Sequence, residues 1–413
     1  MTPAALLLAA FALAGLVIST LPVFLLSRLK RSHRPFQRGP RARAGRPSFP
    51  PAASTAARLR LSILKPLRGL DDGLEENLAS FAALSCVEYE VVLSVADPKD
   101  PALDAVARVR ERYPDAPFVL VVGGVPAGRI GNPKVERLVA AARVARGDVF
   151  LVSDSNVRVA PDDVARTVAL FDDPSVGCVS NLFVGAGARD FGAIVESLHL
   201  LTFVVPGNVL AAWNGTPCVV GKSMALPRHI HDLIGGFAAF GEFLAEDQAI
   251  GLAVRDAGYR VVLSPVVVSN VIERRTLGRA LDRQVRWGKI RYAFSKSLFA
   301  GELLMNPFPV ALLAALLAVP GGSPWAGAVS SIALVSPLLR ILQASLLGRI
   351  CGSPLGPVEL LAMPLKDLLQ IATQVVPFVS KEVVWHGHRV RIGPCTVLSA
   401  SFTPSSRAAS TPL

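Results

Sequence analysis

Hydrophobic residues follow two patterns along the chain, long unbroken runs near its ends and short runs between polar stretches in its middle. The run Ala4–Leu26 has no charged residue and is long enough to cross the roughly 30 Å hydrocarbon core of a bilayer. Positive charge follows this run, from Arg28 onward, whereas a cleaved signal peptide would carry it before the apolar stretch. The pattern therefore predicts a retained transmembrane helix whose basic flank lies in the cytoplasm.

The chain becomes strongly apolar again after residue 302, and we predict two more spans there, over Leu303–Val319 and Trp325–Leu347. A third stretch, Val358–Ser380, is amphipathic and contains prolines, so we interpret it as an interfacial or re-entrant helix. Its regularly spaced polar residues and its prolines are Lys366, Gln370, Gln374, Pro364 and Pro377. Two crossings in this region would return the basic tail around Arg389 to the cytoplasm.

The middle of the chain alternates short strand-like runs with helical periods. The strand-like runs are Arg60–Leu64, Tyr89–Val95, Phe118–Val122, Val149–Ser153, Gly177–Leu182, Pro217–Ala225 and Arg260–Leu263. The helical periods include Pro101–Arg112, Lys134–Arg146 and Pro161–Phe171. Alternation at this spacing predicts an α/β domain with a mostly parallel sheet. Ligands of such sheets bind at the carboxyl ends of the strands.

Composition and charge add a membrane surface to this picture. The chain is 51% hydrophobic, with a mean hydropathy of +0.46, which is too apolar for an average soluble protein. Its net charge is +12, no acidic residue precedes Asp71, and basic residues are concentrated between positions 28 and 46. This arrangement favours an anionic membrane surface as partner and not nucleic acid. The 5 cysteines include no C-x-x-C pair, so neither a disulfide framework nor a zinc site is predicted.

These patterns divide the chain into consecutive regions. We predict an N-terminal transmembrane anchor over residues 1–27 and a basic Pro/Ala-rich linker over 28–58. A cytoplasmic α/β domain follows over 59–298, then a C-terminal membrane region over 299–380 and a basic tail over 381–413.

Polar islands interrupt the apolar runs of the α/β domain at four places. Two follow predicted strands, one lies in a helical period, and one lies in a basic helix at residues 274–291. In chain order they are Asp97, Asp154, Glu246-Asp247 and the run Arg283–Trp287. Each also has a structural explanation: a turn before proline, an Asx turn, partners for a helix dipole, and a charged helix at a membrane surface.

The residue types in these islands suit the chemistry of a nucleotide sugar. Asp154 can hold Mg²⁺ or Mn²⁺ against a diphosphate, since hard cations take oxygen ligands. One carboxylate of Glu246-Asp247 can act as general base, because an acceptor hydroxyl is a poor nucleophile at neutral pH. Arg286 can bind phosphate oxygens bidentately while Trp287 packs against a ring.

The order D, D, (E/D)D, (Q/R)-x-x-R-W resembles that of inverting GT-A glycosyltransferases working at membranes, and finer motifs resemble the ceramide glucosyltransferase family. The resemblance extends from about residue 60 to residue 297. Its further motifs are Leu64–Gly69 with Glu76-Asn77-Leu78, Asp100-Pro101-Ala102, Gly131–Lys134, Asp154-Ser155 with Val157-Arg158-Val159, Cys218–Gly221 and Ala245–Asp247.

The resemblance implies a GT-A-like nucleotide-sugar-binding fold and roles for individual residues. It implies that Asp97 contacts the uridine portion of a UDP-sugar, that Asp154 holds the metal and diphosphate, and that Asp247 is the base. Lys134 would neutralise phosphate. Asn156 replaces the glycine that animal members carry after Asp-Ser, which leaves the choice of sugar open. The other substrate-binding residues implied are Glu246, Arg283, Arg286 and Trp287, the last two closing over the site at the membrane surface.

The expected activity is transfer of a sugar, glucose in this family, from a UDP-sugar to the hydroxyl of a membrane lipid, ceramide. A divalent cation, Mg²⁺ or Mn²⁺, is the expected cofactor. The protein would be a multi-pass protein of a bacterial inner membrane, with its catalytic domain facing the cytoplasm. Alternatives are a hopanoid N-acetylglucosaminyltransferase, a processive polysaccharide synthase and a non-catalytic scaffold on anionic lipid. The small number of C-terminal spans argues against a polysaccharide channel.

Overall fold

The computed structural model of the protein describes residues 3–32, 35–36, 59–85, 88–123, 131–320, 324–385 and 388–404. Most of the predicted linker therefore lies outside the described residues, as do residues 386–387 and 405–413 of the predicted tail. The same holds for Cys86 and for the linker residues Arg34, Arg38, Arg41, Arg43 and Arg46.

Strands and helices alternate through the middle of the chain, and long helices lie towards its ends. The strands are β1 (Leu61–Leu67), β2 (Tyr89–Val95), β3 (Phe118–Val122), β4 (Val149–Ser153), β5 (Val157–Arg158), β6 (Val176–Ala186), β7 (Ser223–Pro227), β8 (Arg260–Val271), β9 (Glu382–Trp385), β10 (His388–Ile392) and β11 (Leu398–Pro404). The helices are α1 (Pro3–Ser32), α2 (Leu74–Ala79), α3 (Ala102–Arg112), α4 (Pro133–Val144), α5 (Asp163–Val168), α6 (Phe191–His199), α7 (Val205–Trp213), α8 (Arg228–Leu233), α9 (Glu246–Asp256), α10 (Leu277–Phe294), α11 (Lys296–Gly301), α12 (Pro307–Ala318), α13 (Ala326–Cys351) and α14 (Pro357–Val379). A π-helical turn, Leu200–Val204, joins α6 to α7.

The chain folds into two compact units. The first, called here the α/β unit, comprises Leu25–Ala188 and Asn208–Arg274. The second, called here the helix-rich unit, comprises Met1–Phe24, Arg189–Gly207 and Arg275–Leu413. Each unit is therefore assembled from segments that are distant in the sequence.

An eight-stranded mixed sheet forms the centre of the α/β unit, with the strand order β3-β2-β1-β4-β7-β6-β8-β5. β1 runs parallel to β2 and to β4, β2 runs parallel to β3, and β6 runs parallel to β8. β7 is antiparallel to β4 and β6, and β5 is antiparallel to β8. The predicted α/β class with a mostly parallel sheet is confirmed.

Some of the expected strands agree with the structure to the residue, and others do not. β2, β3 and β4 have the expected bounds, and β4 is buried along its whole length. The expected strand over Pro217–Ala225, by contrast, begins only at Ser223. The backbone before Ser223 forms a loop that the side chain of Gln248 holds in place. Oε1 of Gln248 accepts the N–H of Val219 at 3.0 Å. A sheet partner would need that N–H, so the strand cannot include Val219.

Helices α4 and α9 pack against the sheet through apolar faces. Leu138 of α4 and Ile250 of α9 belong to a buried cluster that also contains Leu64, Phe150 and Val152 from the strands. Burying such side chains stabilises the fold by about 1.5–3 kcal/mol each. Because both helices are fixed in this way, the residues at their N-terminal ends have defined positions.

Three helices of the described residues are long and apolar enough to cross a membrane: Pro3–Ser32, Phe191–Trp213 and Ala326–Cys351. The first and third correspond to predicted spans. Phe191–Trp213 is absent from the sequence-based prediction, because polar residues such as Glu196 and His199 interrupt its hydropathy and it lies between two strands. In the structure 72% of its most apolar window is buried inside the protein.

The expected span over Leu303–Val319 is interrupted in the structure. The chain bends by 72° between Lys296–Met305 and Pro307–Ala318, and α12 has only 12 residues. A helix of that length extends about 18 Å, which is shorter than a bilayer core. The bend follows Asn306, whose amide donates to the carbonyl of Asp367 at 2.8 Å. The helix expected over Val358–Ser380 is α14, and its interfacial or re-entrant placement stays a prediction.

Candidate active site

Asp154 lies in the centre of a charged cluster at the carboxyl end of β4. Nζ of Lys134 is 2.9 Å from Oδ1 of Asp154, and Nζ of Lys222 is 3.0 Å from Oδ2. Both carboxylate oxygens therefore face an ammonium group. Burial alone would raise the pKa of Asp154, but the two lysines outweigh it and hold the pKa well below its ordinary value. Asp154 is thus ionised at any physiological pH.

The motif that begins at Asn132 directs Lys134 into this cluster. Asn132 caps α4, since its side-chain oxygen accepts the N–H of Lys134 at 2.9 Å, and the proline between them suits the first helical turn. The amide of Asn132 also donates to Oε2 of Glu246 at 3.2 Å, and Nζ of Lys134 lies 2.9 Å from Oε1 of Glu246. Burial would lower the pKa of Lys134, but the surrounding carboxylates, Asp154 foremost, raise it. The Lys134 ammonium therefore bridges two carboxylates.

Asp247 lies in the first turn of α9, beside the same cluster. Its Oδ2 accepts the N–H of Gly221 at 2.6 Å, and its Oδ1 accepts the N–H of Gln248 at 2.8 Å. Burial raises the pKa of Asp247 to about 6, and Glu246 adds to the rise, while Lys134 and the two amides oppose it. A carboxylate with this pKa is ionised at neutral pH and is a stronger base than an ordinary aspartate.

Gly221 brings the backbone into contact with both functional groups. Its carbonyl accepts a hydrogen bond from Nζ of Lys134 at 3.3 Å, and its N–H donates to Asp247. A Cβ at this position would lie 2.6 Å from Nζ of Lys134 and 3.1 Å from Oδ2 of Asp247. A side chain at the last position of the motif Cys218–Gly221 would therefore displace Lys134 or Asp247.

Two lysines of the cluster have no role in the sequence-based prediction. Lys222 pairs with Asp154 and also donates to Oδ1 of Asn156 at 2.7 Å. Lys65, fully buried in β1, donates to the carbonyl of Asp154 at 2.9 Å and lies 4.0 Å from the ring centroid of Phe81. Burial lowers the pKa of Lys65 to about 7. A lysine inside a strand that is buried throughout is the sequence signal for such a residue, since a buried charge requires partners.

Asp97 lies at the carboxyl end of β2, as expected, and β1 separates β2 from β4 in the sheet. Its side chain is exposed, and Oδ1 accepts the N–H of Lys99 at 2.8 Å in an Asx turn. The nearby Asp100 accepts the N–H of Gly69 at 2.8 Å, which ties this turn to the end of β1. The turn is thus held in place, and contact of Asp97 with uridine stays a prediction.

The fourth island lies in α10, within the helix-rich unit. Nη1 of Arg283 is 3.1 Å from Oε1 of Glu196, and Nε of Arg275 is 3.4 Å from Oε2. The guanidinium of Arg283 lies 4.8 Å from the ring centroid of Trp287, four residues later on the same helix face. Burial lowers the pKa of Arg286 to about 10, and Arg283 adds to the effect, yet Arg286 stays charged at neutral pH. The buried partner Glu196 is absent from the sequence-based prediction, because nothing in its local sequence pairs it with α10.

The structure thus brings four predicted residues into one cluster, which are Asp154, Lys134, Glu246 and Asp247. Within the described part of the chain, no group of three or more His, Cys, Asp or Glu side chains is arranged to hold a metal ion. The side chain of Asp154 is 22% exposed, and Lys134 lies between it and Glu246. This donor set does not fit a structural metal, but it fits a hard cation that takes its other oxygens from a bound diphosphate.

A model of glycosyl transferase family 21 matches residues 8–397 of the chain. The chain is 28% identical over 258 residues to ceramide glucosyltransferase 3 of Caenorhabditis elegans, a match that covers 62% of this chain and 55% of that protein. It is 23% identical over 243 residues to an N-acetylglucosaminyltransferase of Sinorhizobium fredii, covering 55% of this chain and 56% of the other. The chain thus spans about half the length of these curated relatives.

Among solved structures, the chain is similar to a mannosyltransferase of Pyrobaculum calidifontis in complex with GDP-Man and Mn²⁺. The similarity covers 87% of this chain and 99% of the other, with a TM-score of 0.51 and 21% sequence identity. At this identity it establishes the fold, and the expected GT-A-like architecture is confirmed.

Proposed function

Because the chain belongs to glycosyl transferase family 21, we propose that it transfers glucose from UDP-glucose to a hydroxyl of ceramide, with inversion at the anomeric carbon. The observation that carries this proposal is the raised pKa of Asp247 together with its position. Its carboxylate has a pKa of about 6 and lies beside the Asp154 cluster, where a Cβ on Gly221 would lie 2.6 Å from Nζ of Lys134. A general base of this strength next to paired cationic groups suits a reaction that removes a proton and releases a diphosphate.

The proposed donor site is the Asp154 cluster. Lys134 and Lys222 carry ammonium groups that are 20% and 10% exposed and can bind oxygens of an incoming diphosphate. Asp154, with those phosphate oxygens, would hold a divalent cation, Mg²⁺ or Mn²⁺, which supplies charge neutralisation for the departing diphosphate. The exposed Asp97 is proposed to contact the uridine portion.

In the proposed reaction, Asp247 accepts the proton of the acceptor hydroxyl while the hydroxyl oxygen attacks the anomeric carbon. The bond between that carbon and the diphosphate oxygen breaks, and its electron pair leaves with UDP. The N–H groups of Gly221 and Gln248 each occupy one acceptor position on Asp247. They orient the carboxylate and leave further lone pairs free to receive the proton.

The helix-rich unit supports a lipid as acceptor. It contains long apolar helices, and a long-chain lipid stays in the bilayer because each buried CH₂ contributes about 0.8 kcal/mol. We propose that Arg286 and Trp287 of α10 act at the membrane face, with Arg283 anchored by Glu196. Family membership sets aside a non-catalytic scaffold. The proposed location is a bacterial inner membrane, with the α/β unit in the cytoplasm.

A second candidate is transfer of N-acetylglucosamine to the polyol side chain of a hopanoid. The observation that favours it is the similarity to bacterial N-acetylglucosaminyltransferases, at 23–24% identity. The first candidate has the stronger support, because the match to a ceramide glucosyltransferase has the higher identity, 28% against 23–24%.

The experiment that separates these candidates is a substrate panel. Membranes carrying the protein are incubated with UDP-glucose, UDP-galactose or UDP-N-acetylglucosamine, each with ceramide or with a polyol hopanoid, and the product is identified by mass. We expect a hexosylceramide from UDP-glucose. A product on the hopanoid alone would replace the first candidate with the second.

A further inference from the structure

Neutral polar side chains are buried in the helix-rich unit beside the π-helical turn Leu200–Val204. His199, the last residue of α6, is 2% exposed, and Gln370 of α14 is 1% exposed. The His199 ring stacks on Phe203 at 5.1 Å, and Gln370 lies within interaction range of His199. π-helical turns occur frequently at functional sites.

These two side chains lack hydrogen-bond partners other than each other. Apart from their mutual contact, neither ring nitrogen of His199 and neither amide atom of Gln370 makes a hydrogen bond to a described residue. A rotation that joined one nitrogen of His199 to Gln370 would still leave one atom of each side chain unpaired. Unpaired buried polar groups destabilise a protein and are rare in native structures, so a bound molecule is the expected partner.

The cations near this pair already have partners. Nζ of Lys366 donates to Thr202 at 2.9 Å and to Asp367 at 3.0 Å. Arg291 donates to both carboxylate oxygens of Glu302, at 2.8 and 3.0 Å. Both cations nearest the pair therefore already have hydrogen-bond partners of their own.

The unpaired atoms define the chemistry of a fitting ligand. A neutral imidazole offers one donor and one acceptor, and an amide side chain offers two donors and one acceptor. A phosphate group presents mainly acceptors, so it would pair with the donors of these two side chains and leave their acceptors unpaired. A headgroup with hydroxyl and amide groups both donates and accepts.

We propose that His199 and Gln370 form a binding site for the neutral headgroup of the lipid acceptor, one that carries hydroxyl and amide groups. The site rests on the proposed function in one respect, since that function requires such a lipid. It goes beyond the Asp154 cluster because it assigns acceptor recognition to residues of the helix-rich unit.

The test uses apolar substitutions of similar size, His199→Phe and Gln370→Met, in the full chain. The control is Gln343→Met, because Gln343 is 5% exposed in the same unit but is fully engaged with Arg340 and Thr20. We expect the KM for a short-chain ceramide to rise roughly tenfold in each test variant, as expected for a lost hydrogen bond or two. The KM for UDP-glucose should change less than twofold.

The Tm provides a second readout, in which the control variant and not the test variant should be impaired. Replacing unpaired buried polar atoms by apolar ones is neutral or stabilising, so Gln370→Met should keep or raise the Tm. Gln343→Met should lower the Tm and leave the KM for ceramide unchanged. Should Gln370→Met not fold, Gln370→Asn shortens the side chain by one methylene group and is expected to raise the KM for ceramide severalfold.

A binding measurement separates this inference from the proposed function. A fluorescent short-chain ceramide is titrated into wild-type protein and variants in detergent, without donor. Tight binding to the wild type that weakens about tenfold in both test variants supports the site, even if no sugar is transferred to ceramide. Equal binding by wild type and folded variants, or no binding by the wild type, would overturn it while leaving the transfer reaction untouched.

Discussion

Charged side chains enter the interior of both units, but under different conditions. In the α/β unit, Asp154 and Lys134 form an ion pair whose members are 22% and 20% exposed. In the helix-rich unit, Asp367 is fully buried between Arg340 at 2.9 Å and Lys366 at 3.0 Å. A partly exposed pair can exchange its partner for a substrate, whereas a fully buried one holds its helices, α13 and α14, together. We therefore assign the first arrangement to the proposed reactive site and the second to a scaffold.

The largest effect is expected at the base. Asp247→Asn keeps the shape of the side chain but removes the proton acceptor, so kcat should fall by about 10²–10⁴. The matched control is Asp256→Asn, because Asp256 is an exposed residue at the other end of the same helix. Initial rates with UDP-glucose and ceramide measure both. A kcat for Asp247→Asn within a factor of three of the wild type would remove Asp247 from the reaction.

A somewhat smaller effect is expected at the glycine that joins the two functional groups. Gly221→Ala places a Cβ 2.6 Å from Nζ of Lys134, so that Lys134 or Asp247 must move. A displacement of about 1 Å at a reacting group can lower activity by roughly 10²-fold. The control is Gly207→Ala, because a Cβ at Gly207 would lie in open space. Gly215→Ala would not serve as a control, since Gly215 has a positive φ. Equal kcat/KM values for the two variants would mean that Gly221 is not part of the site.

Because the two ion pairs differ in burial, breaking them should lower the free energy of unfolding by different amounts. Asp367→Asn leaves Arg340 and Lys366 without a counter-charge, and breaking a fully buried pair costs about 3–5 kcal/mol of the free energy of unfolding. Asp154→Asn should cost less, because its lysines are partly exposed, but it should lower kcat/KM. Thermal unfolding in detergent, together with activity per folded molecule, measures the two. If Asp154→Asn proved the more destabilising, the distinction between reactive site and scaffold would fail.

The sequence allowed part of this arrangement to be predicted. β2, β3 and β4 could be predicted because valine, leucine and phenylalanine dominate their runs, and Asp154 and Asp247 because carboxylates stand out among apolar residues. The partners of these residues were harder to find. Lys222 follows a glycine in a stretch that resembles a strand, and only the tertiary structure brings it within 3.0 Å of Asp154. Glu196 is buried against α10, about 80 residues later, so no local pattern could indicate the contact.

The most direct test of the central claim, that Asp247 removes the acceptor proton, is the pH dependence of kcat/KM. The pKa of Asp247 is raised to about 6, so the carboxylate is the dominant form above that pH and is lost as the pH falls. We expect kcat/KM to be constant from about pH 7 to 8 and to fall about tenfold per pH unit below 6. A profile that stays flat from pH 8 down to pH 5, with folded protein throughout, would contradict the assignment.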